Sequence, residues 1–161
     1  MVAMTDTQQL QFRYMDDVDV SEVIANERSA YSHPWSEAVL RECLGGISEC
    51  WVATMDKTIV GHGIISHVLD EGHLLNLCIG KSWQGQGLSH QFLIFLMSRL
   101  RELGVEKLFL EVRVSNEIAV ALYKKHGFTQ IGLRKAYYPA GSDREDAIVM
   151  AREIDSEIAQ A

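Results

Sequence analysis

The sequence predicts an α/β fold: a mixed, mostly antiparallel sheet of about seven strands with helices on both faces. Three observations predict it. Hydrophobic periodicity switches between two and about 3.6 residues along the chain. Three β-like runs follow one another with only short turns between them. A strand–helix–strand unit then follows, and a crossover set beside a meander makes the sheet mixed.

The elements follow in order. "LQFRYM" alternates and can open a sheet. "DVSEVIANERSAY" carries apolar residues at Val20, Val23, Ile24 and Ala30, with Asp19 or Ser21 as the cap, which predicts a helix. "HPWSEAVLRECLGG" holds a second, short helix, capped by Ser36 and ended by Gly45 and Gly46. "ECWVATM", "TIVGHGIISHVL" and "GHLLNLCI" read as strands joined by the turn signals "MDKT" and "DEG". From Leu88 the period becomes helical, with Phe92, Phe95, Leu96, Leu100 and Leu103 on one stripe and Gly104 closing it. "KLFLEVRV" is a strand. "NEIAVALYKKHG" is a helix with Asn116 at its start, Lys124 and Lys125 in its last turn and Gly127 just beyond. "FTQIGLRKAYY" and "EDAIVMARE" supply the last two strands.

The 161 residues suit one compact domain, with a core over about 10–152 and short flexible termini. Apolar residues at 47% and charged residues at 23% argue against global disorder. A formal net charge of -7 argues against a direct nucleic-acid partner, which calls for a basic patch. No apolar run reaches membrane-spanning length, and "MVAMTDTQQLQF" lacks the pattern of a secretory signal. Cys43, Cys50 and Cys78 form an odd set, matching free thiols in a cytoplasmic protein. Neither they nor the scattered histidines match a metal pattern, so no metal is expected. A monomer is expected.

The stretch "GKSWQGQGLSHQFL" carries fragments of more than one phosphate-binding motif. A P-loop needs a glycine where Leu75 stands, inside a strand. A dinucleotide fingerprint needs one where His90 stands. What remains is a glycine-rich turn from Gln84 to Ser89 between a strand and an amphipathic helix. Amides at a helix N-terminus favour an anion, and Gly85 and Gly87 let a pyrophosphate approach the backbone. A plain turn is the other reading of the same residues.

Two further residues admit two readings each. Glu111 sits in an apolar β run, where a carboxylate is costly unless paired or facing a cleft. It is either a base or a strand-end partner of Arg113. Tyr123 lies two helical turns after Asn116 on the same face. It is either a proton donor or an aromatic packed beneath the sheet. Asn116 itself reads as an N-cap.

The element order, with "QGQGLS", "LEVRVSN" and "ALYKKHGF", resembles the GNAT superfamily of acetyl-CoA-dependent N-acetyltransferases. "HPWSE", "NLCI" and "YYPAGSDREDAIVM" extend the resemblance to its bacterial ribosomal-protein-alanine N-acetyltransferases, the RimI-like group. It spans roughly Leu10 to Met150. The resemblance implies acetyl-CoA as cosubstrate, and as acceptor the N-terminal alanine of a small-subunit ribosomal protein. It implies Glu111 as general base and Tyr123 as general acid. It places the backbone of Leu77, Cys78 and Ile79 along the pantetheine arm, with one N–H polarising the thioester. Gly85, Gln86, Gly87, Leu88, Ser89 and His90 would cradle the pyrophosphate, and Asn116 would also touch the cofactor. Trp35, Tyr137, Tyr138 and Pro139 would line the peptide end. Ser89 stands where the family usually has glycine or alanine, but it keeps its backbone N–H. A covalent acyl-Cys78 is disfavoured, because no paired histidine is evident and the family transfers acetyl directly.

Overall fold

A computed structural model describes residues 9–154. The expected terminal tails lie outside them. Strands β1 (Leu10–Tyr14), β2 (Glu49–Met55), β3 (Thr58–Val68) and β4 (Glu71–Ile79) form an antiparallel meander. Strand β5 (Lys107–Arg113) joins β4 in parallel, and β6 (Thr129–Ala140) and β7 (Asp143–Glu153) complete the sheet in the order β1-β2-β3-β4-β5-β7-β6. The helices are α1 (Val20–Ala30), α2 (Glu37–Gly45), α3 (Leu88–Glu102) and α4 (Glu117–Lys125). The seven-stranded mixed sheet expected from sequence is present.

The sheet's two faces carry separate cores, and alternation along β2 sorts residues between them. Trp51 and Ala53 pack with α3, whereas Cys50 and Val52 pack with α1 and α2. Phe12, Phe92 and Phe95 stack beneath β1 and β2, with ring centroids 4.4–6.4 Å apart. Gly63 lets α3 sit tight on β3: a Cβ there would come within 2.7 Å of Leu96 Cδ1. That seating fixes where the N-terminus of α3 emerges.

Helix ends follow the sequence closely. The Ser36 hydroxyl accepts from the Val39 N–H at 3.2 Å, and Asn116 Oδ1 accepts from the Ala119 N–H at 3.2 Å. Gly104 and Gly127 adopt positive φ, and Val105 and Phe128 donate back to Leu100 and Tyr123, closing α3 and α4. The start of α1 differs from expectation. Asp19 precedes the helix but makes no side-chain cap. Its carboxylate instead accepts from Arg13 at 2.7 and 2.9 Å, and from the Asp16 N–H. A short 3-10 turn, Asp17–Asp19, leads in.

Candidate active site

The site begins with an irregularity in β4. Ile64 pairs with Asn76 but Ile65 pairs with Leu74, so Leu75 is an extra residue without a β3 partner. Leu74, opposite Leu110, is also the last β4 residue paired to β5. A bulge bends its strand and raises its twist. Here β4 swings away from β5 at that point, and the sheet opens into a fork.

Beyond the fork the ladder sorts the backbone groups. The Gly80 N–H donates to the Val60 carbonyl. In this antiparallel register Asn76, Cys78 and Gly80 therefore bond to β3, while Leu77 and Ile79 aim their groups into the gap. The sequence reading offered all of Leu77, Cys78 and Ile79 as cofactor contacts. The register narrows the available backbone to Leu77 and Ile79. Both of their carbonyls are engaged from within the chain, at 2.6 Å by the Tyr31 hydroxyl and at 2.9 Å by Gln84 Nε2. Their N–H groups are the donors that face the gap.

The loop after β4 opens directly onto α3. Gly85 and Gly87 have φ of 80° and 77°, and a Cβ on either would meet nothing within 4 Å. Positive φ, not crowding, is the reason for glycine at both. Gly87 is the N-cap of α3 with no side-chain cap, so the first amides of Leu88, Ser89 and His90 keep no side-chain partner at the positive end of the helix. Gln84, Gly85, Gln86 and Gly87 are exposed, and Ser89 and His90 are half-buried. His90 Nδ1 lies 2.8 Å from His126 Nε2, tying this turn to the end of α4. Burial holds His126 below the ordinary histidine value, and His90 adds to the effect.

Glu111 is the first residue of β5 past the fork. Its side chain is 10% exposed. Oε2 lies 2.5 Å from His73 Nε2, and Oε1 lies 3.6 Å from Arg134 Nε. The pairing with Arg113 does not form. Arg113 donates to the Pro139 carbonyl at 2.9 Å and lies 4.5 Å from the Tyr138 ring centroid. Tyr123 is buried among the residues beneath the sheet, edge-on to Phe128. Burial pushes its phenol well above the ordinary tyrosine value, and Tyr138 adds to this. The group therefore carries its proton across the neutral range. Packing and proton donation, alternatives in the sequence, are compatible in the structure.

Tyr137 and Tyr138 lie beside a bulge, where Arg134 pairs with Ala147 but the next recorded pair is Tyr138 with Glu145. Ala136, inside it, has φ 52° and donates to Asp146 Oδ1. The two tyrosine rings lie 4.9 Å apart, edge to face. Tyr137 is exposed, and Arg134 lies over its ring. Burial pushes Tyr138 up to about 12, with Glu111 the next cause.

Three residues that the sequence reading passed over help to build the cleft. Glu27 is 2% exposed and accepts from the Trp35 N–H at 3.1 Å, from Asn76 Nδ2 at 3.2 Å, and pairs with His62 Nε2 at 2.8 Å. Burial pulls its carboxyl up, but His62, Trp35 and Asn76 together outweigh that and hold it below the ordinary glutamate value. The signal was present: Val20, Val23, Ile24 and Glu27 form one i, i+3, i+4, i+7 stripe, and all four are buried. Glu27 thereby seats Trp35 and ties α1 to β3 and β4. Tyr31, at the end of α1, reaches the Leu77 carbonyl. His73 has no sequence signal, because only strand pairing brings it to Glu111.

Cys78 does have a histidine nearby: Glu27, His62 and Cys78 offer ligand atoms within 4.8 Å of one another. Burial, with Glu27 adding to it, pushes the thiol far up, so it is held protonated and is a poor nucleophile. Both Glu27 oxygens are already engaged by the donors named above.

A forked sheet beside a glycine-rich turn at a helix N-terminus is the architecture of an acyl-CoA acyltransferase. The chain belongs to the acetyltransferase (GNAT) family, which matches residues 14–128. It is similar to the [ribosomal protein bS18]-alanine N-acetyltransferase of Escherichia coli strain K12, with 36% identity over 140 residues, 87% of this chain and 95% of that one. It is 40% identical to the enzyme of that name from Haemophilus influenzae over 126 residues, covering 78% of this chain and 86% of the other. The crystal structure of the ribosomal-protein-S18-alanine N-acetyltransferase from Escherichia coli superposes with a TM-score of 0.84 at 34% identity, covering 91% of this chain and 95% of that one.

Proposed function

We propose that the chain moves acetyl from acetyl-CoA directly to the N-terminal α-amine of a ribosomal protein, with N-terminal alanine of a small-subunit protein as the acceptor. The observation that carries this reading is the fork: the almost buried carboxylate of Glu111 is on the first β5 residue past it, and the Leu77 and Ile79 N–H groups face the gap from the β4 side. The names of the relatives support the choice of acceptor.

In this reading the pyrophosphate rests on the amides from Gly85 to His90, and the thioester carbonyl accepts from the Leu77 or Ile79 N–H. Asn116 Nδ2 faces the cofactor while Oδ1 keeps its cap. Glu111 takes the proton of the α-amine, whose ordinary value is roughly 7.7–8.0. The amine attacks the carbonyl carbon, the C–S bond breaks, the departing thiolate takes the Tyr123 proton, and the second proton, released by the acylated nitrogen, restores the phenol by way of solvent. Trp35, Tyr137 and Tyr138 border the peptide. The chain works as one unit and as a monomer, which light scattering checks, and the net charge of -7 favours a basic peptide over nucleic acid.

The test is incubation with acetyl-CoA and a peptide panel, read by mass and by site of modification. The panel includes peptides that begin with alanine, peptides with other first residues, and one with a free lysine and a blocked N-terminus. Acetylation of the alanine α-amine is expected. Modification of the lysine alone, or of no amine, overturns the reading.

A further inference from the structure

Glu111 has two oxygens, and each has a different neighbour. Oε2 belongs to His73 Nε2 at 2.5 Å, and Oε1 lies toward Arg134 at 3.6 Å. An imidazole can accept a proton at one ring nitrogen and release one from the other. The fold places such an imidazole against the carboxylate. His73 pairs with Phe109 across the parallel β4–β5 ladder, and Glu111 is the next residue on that face of β5. The Glu111 side chain is 10% exposed and that of His73 35% exposed, so the histidine is the more open end of the pair.

We propose that His73 is the residue through which Glu111 passes the acceptor's proton to solvent. This rests on the acetyl-transfer reading above. The N–H bond of the ammonium breaks, and its electron pair stays on nitrogen for attack on the thioester. The proton goes to the Glu111 carboxylate. With the ring proton on Nδ1, Nε2 takes the proton from the carboxyl group and the carboxylate is restored. The imidazolium then returns one proton to water. The dyad ends as it began, and the amine has lost one proton.

The charged and titratable groups around the dyad are few. Arg134 on β6 lies 3.6 Å from Glu111 Oε1, and Tyr138, on the same strand, is close enough to be affected by Glu111 electrostatically. Lys107 lies over the Phe109 ring at 5.3 Å, on the β5 residue paired with His73. His73 acts through Glu111, so it is a positioning and relay residue.

Two substitutions separate relay from mere placement. His73→Gln keeps an N–H donor for Oε2 but cannot carry a proton onward. His73→Ala opens room for free imidazole. Initial rates are measured against pH with acetyl-CoA and an alanine-first peptide. Both variants are expected to lose about tenfold or more in kcat, within the range of acid–base contributions. KM for acetyl-CoA is expected to stay within about twofold, because His73 acts only through Glu111. The acid limb of the pH profile is expected to change in both, and imidazole is expected to restore part of the His73→Ala rate. A His73→Gln variant with wild-type kcat and acid limb overturns the relay. The pair itself is read without turnover from the 15N shifts of the His73 ring. These are expected to change in Glu111→Gln, and unchanged shifts overturn the dyad. Should the wild-type protein acetylate no α-amine, the functional reading fails, and the ring shifts still decide the pairing.

Discussion

Glu111 and Tyr123 illustrate how one residue can satisfy two demands. Glu111 is a nearly buried charge made tolerable by His73 and Arg134, and the same burial puts it at the fork. Tyr123 packs against Phe128, and the same burial keeps its proton on. Glu111→Gln should lower kcat/KM by about 10²–10⁴-fold near neutral pH. Part of that loss should return at higher pH, where the α-amine deprotonates unaided; a steady-state pH series checks this. Tyr123→Phe should lower kcat over a similar range of about 10²–10⁴-fold and leave acetyl-CoA affinity within about twofold. Calorimetry of cofactor binding beside kinetics separates the two quantities. Normal turnover by Tyr123→Phe would remove it as the acid. Both residues stood out in the sequence with two readings each, and it was the family resemblance that supplied their proposed roles in proton transfer. Their partners did not, since His73 is 38 residues from Glu111 and meets it only through strand pairing.

At the scale of elements, the helix boundaries were readable because caps are local chemistry. Ser36, Asn116, Gly104 and Gly127 act within a few residues of where they stand. The bulge at Leu75 was not readable, because it is defined by two strands and not by one. Yet that bulge opens the sheet. The turn between β4 and α3 lies between these cases, with its glycines visible in the sequence and their positive φ visible only in the fold. Gly87→Ala should strain the left-handed N-cap of α3 by about 1–2 kcal/mol. A lower denaturation midpoint together with weaker acetyl-CoA binding is the expected pair of observations. Ser89→Gly should change acetyl-CoA affinity by no more than a few-fold, because the backbone N–H is kept in both. Much tighter binding by Ser89→Gly in calorimetry would show that the serine carries a cost.

For the whole molecule, two cores flank one sheet, and Glu27 crosses from one layer to the other. It joins α1 to His62 on β3, to Asn76 on β4 and to the backbone of Trp35. Its carboxyl is held below the ordinary value, so its ionisation stabilises the fold above the unfolded value of roughly 4.3. That contribution is lost as pH falls through the lower folded value. Glu27→Gln should destabilise the protein by about 1.5–3 kcal/mol at pH 7, the range for hydrogen bonds to a charged group. Its difference from wild type should shrink as pH drops below about 4. Chemical denaturation at both pH values checks the magnitude and the sign. The sequence by itself determined the order of elements and the helix ends, and it singled out the glycine-rich turn, Glu111 and Tyr123 as candidates. Each of these is written in local periodicity, in local hydrogen bonding or in the motifs that carry the family resemblance. Only the tertiary structure decided where β4 leaves β5, which backbone groups face the gap, and that His73 meets Glu111 while Glu27 meets His62, Asn76 and Trp35. Those depend on strand register, and register is a relation between segments that no single segment contains.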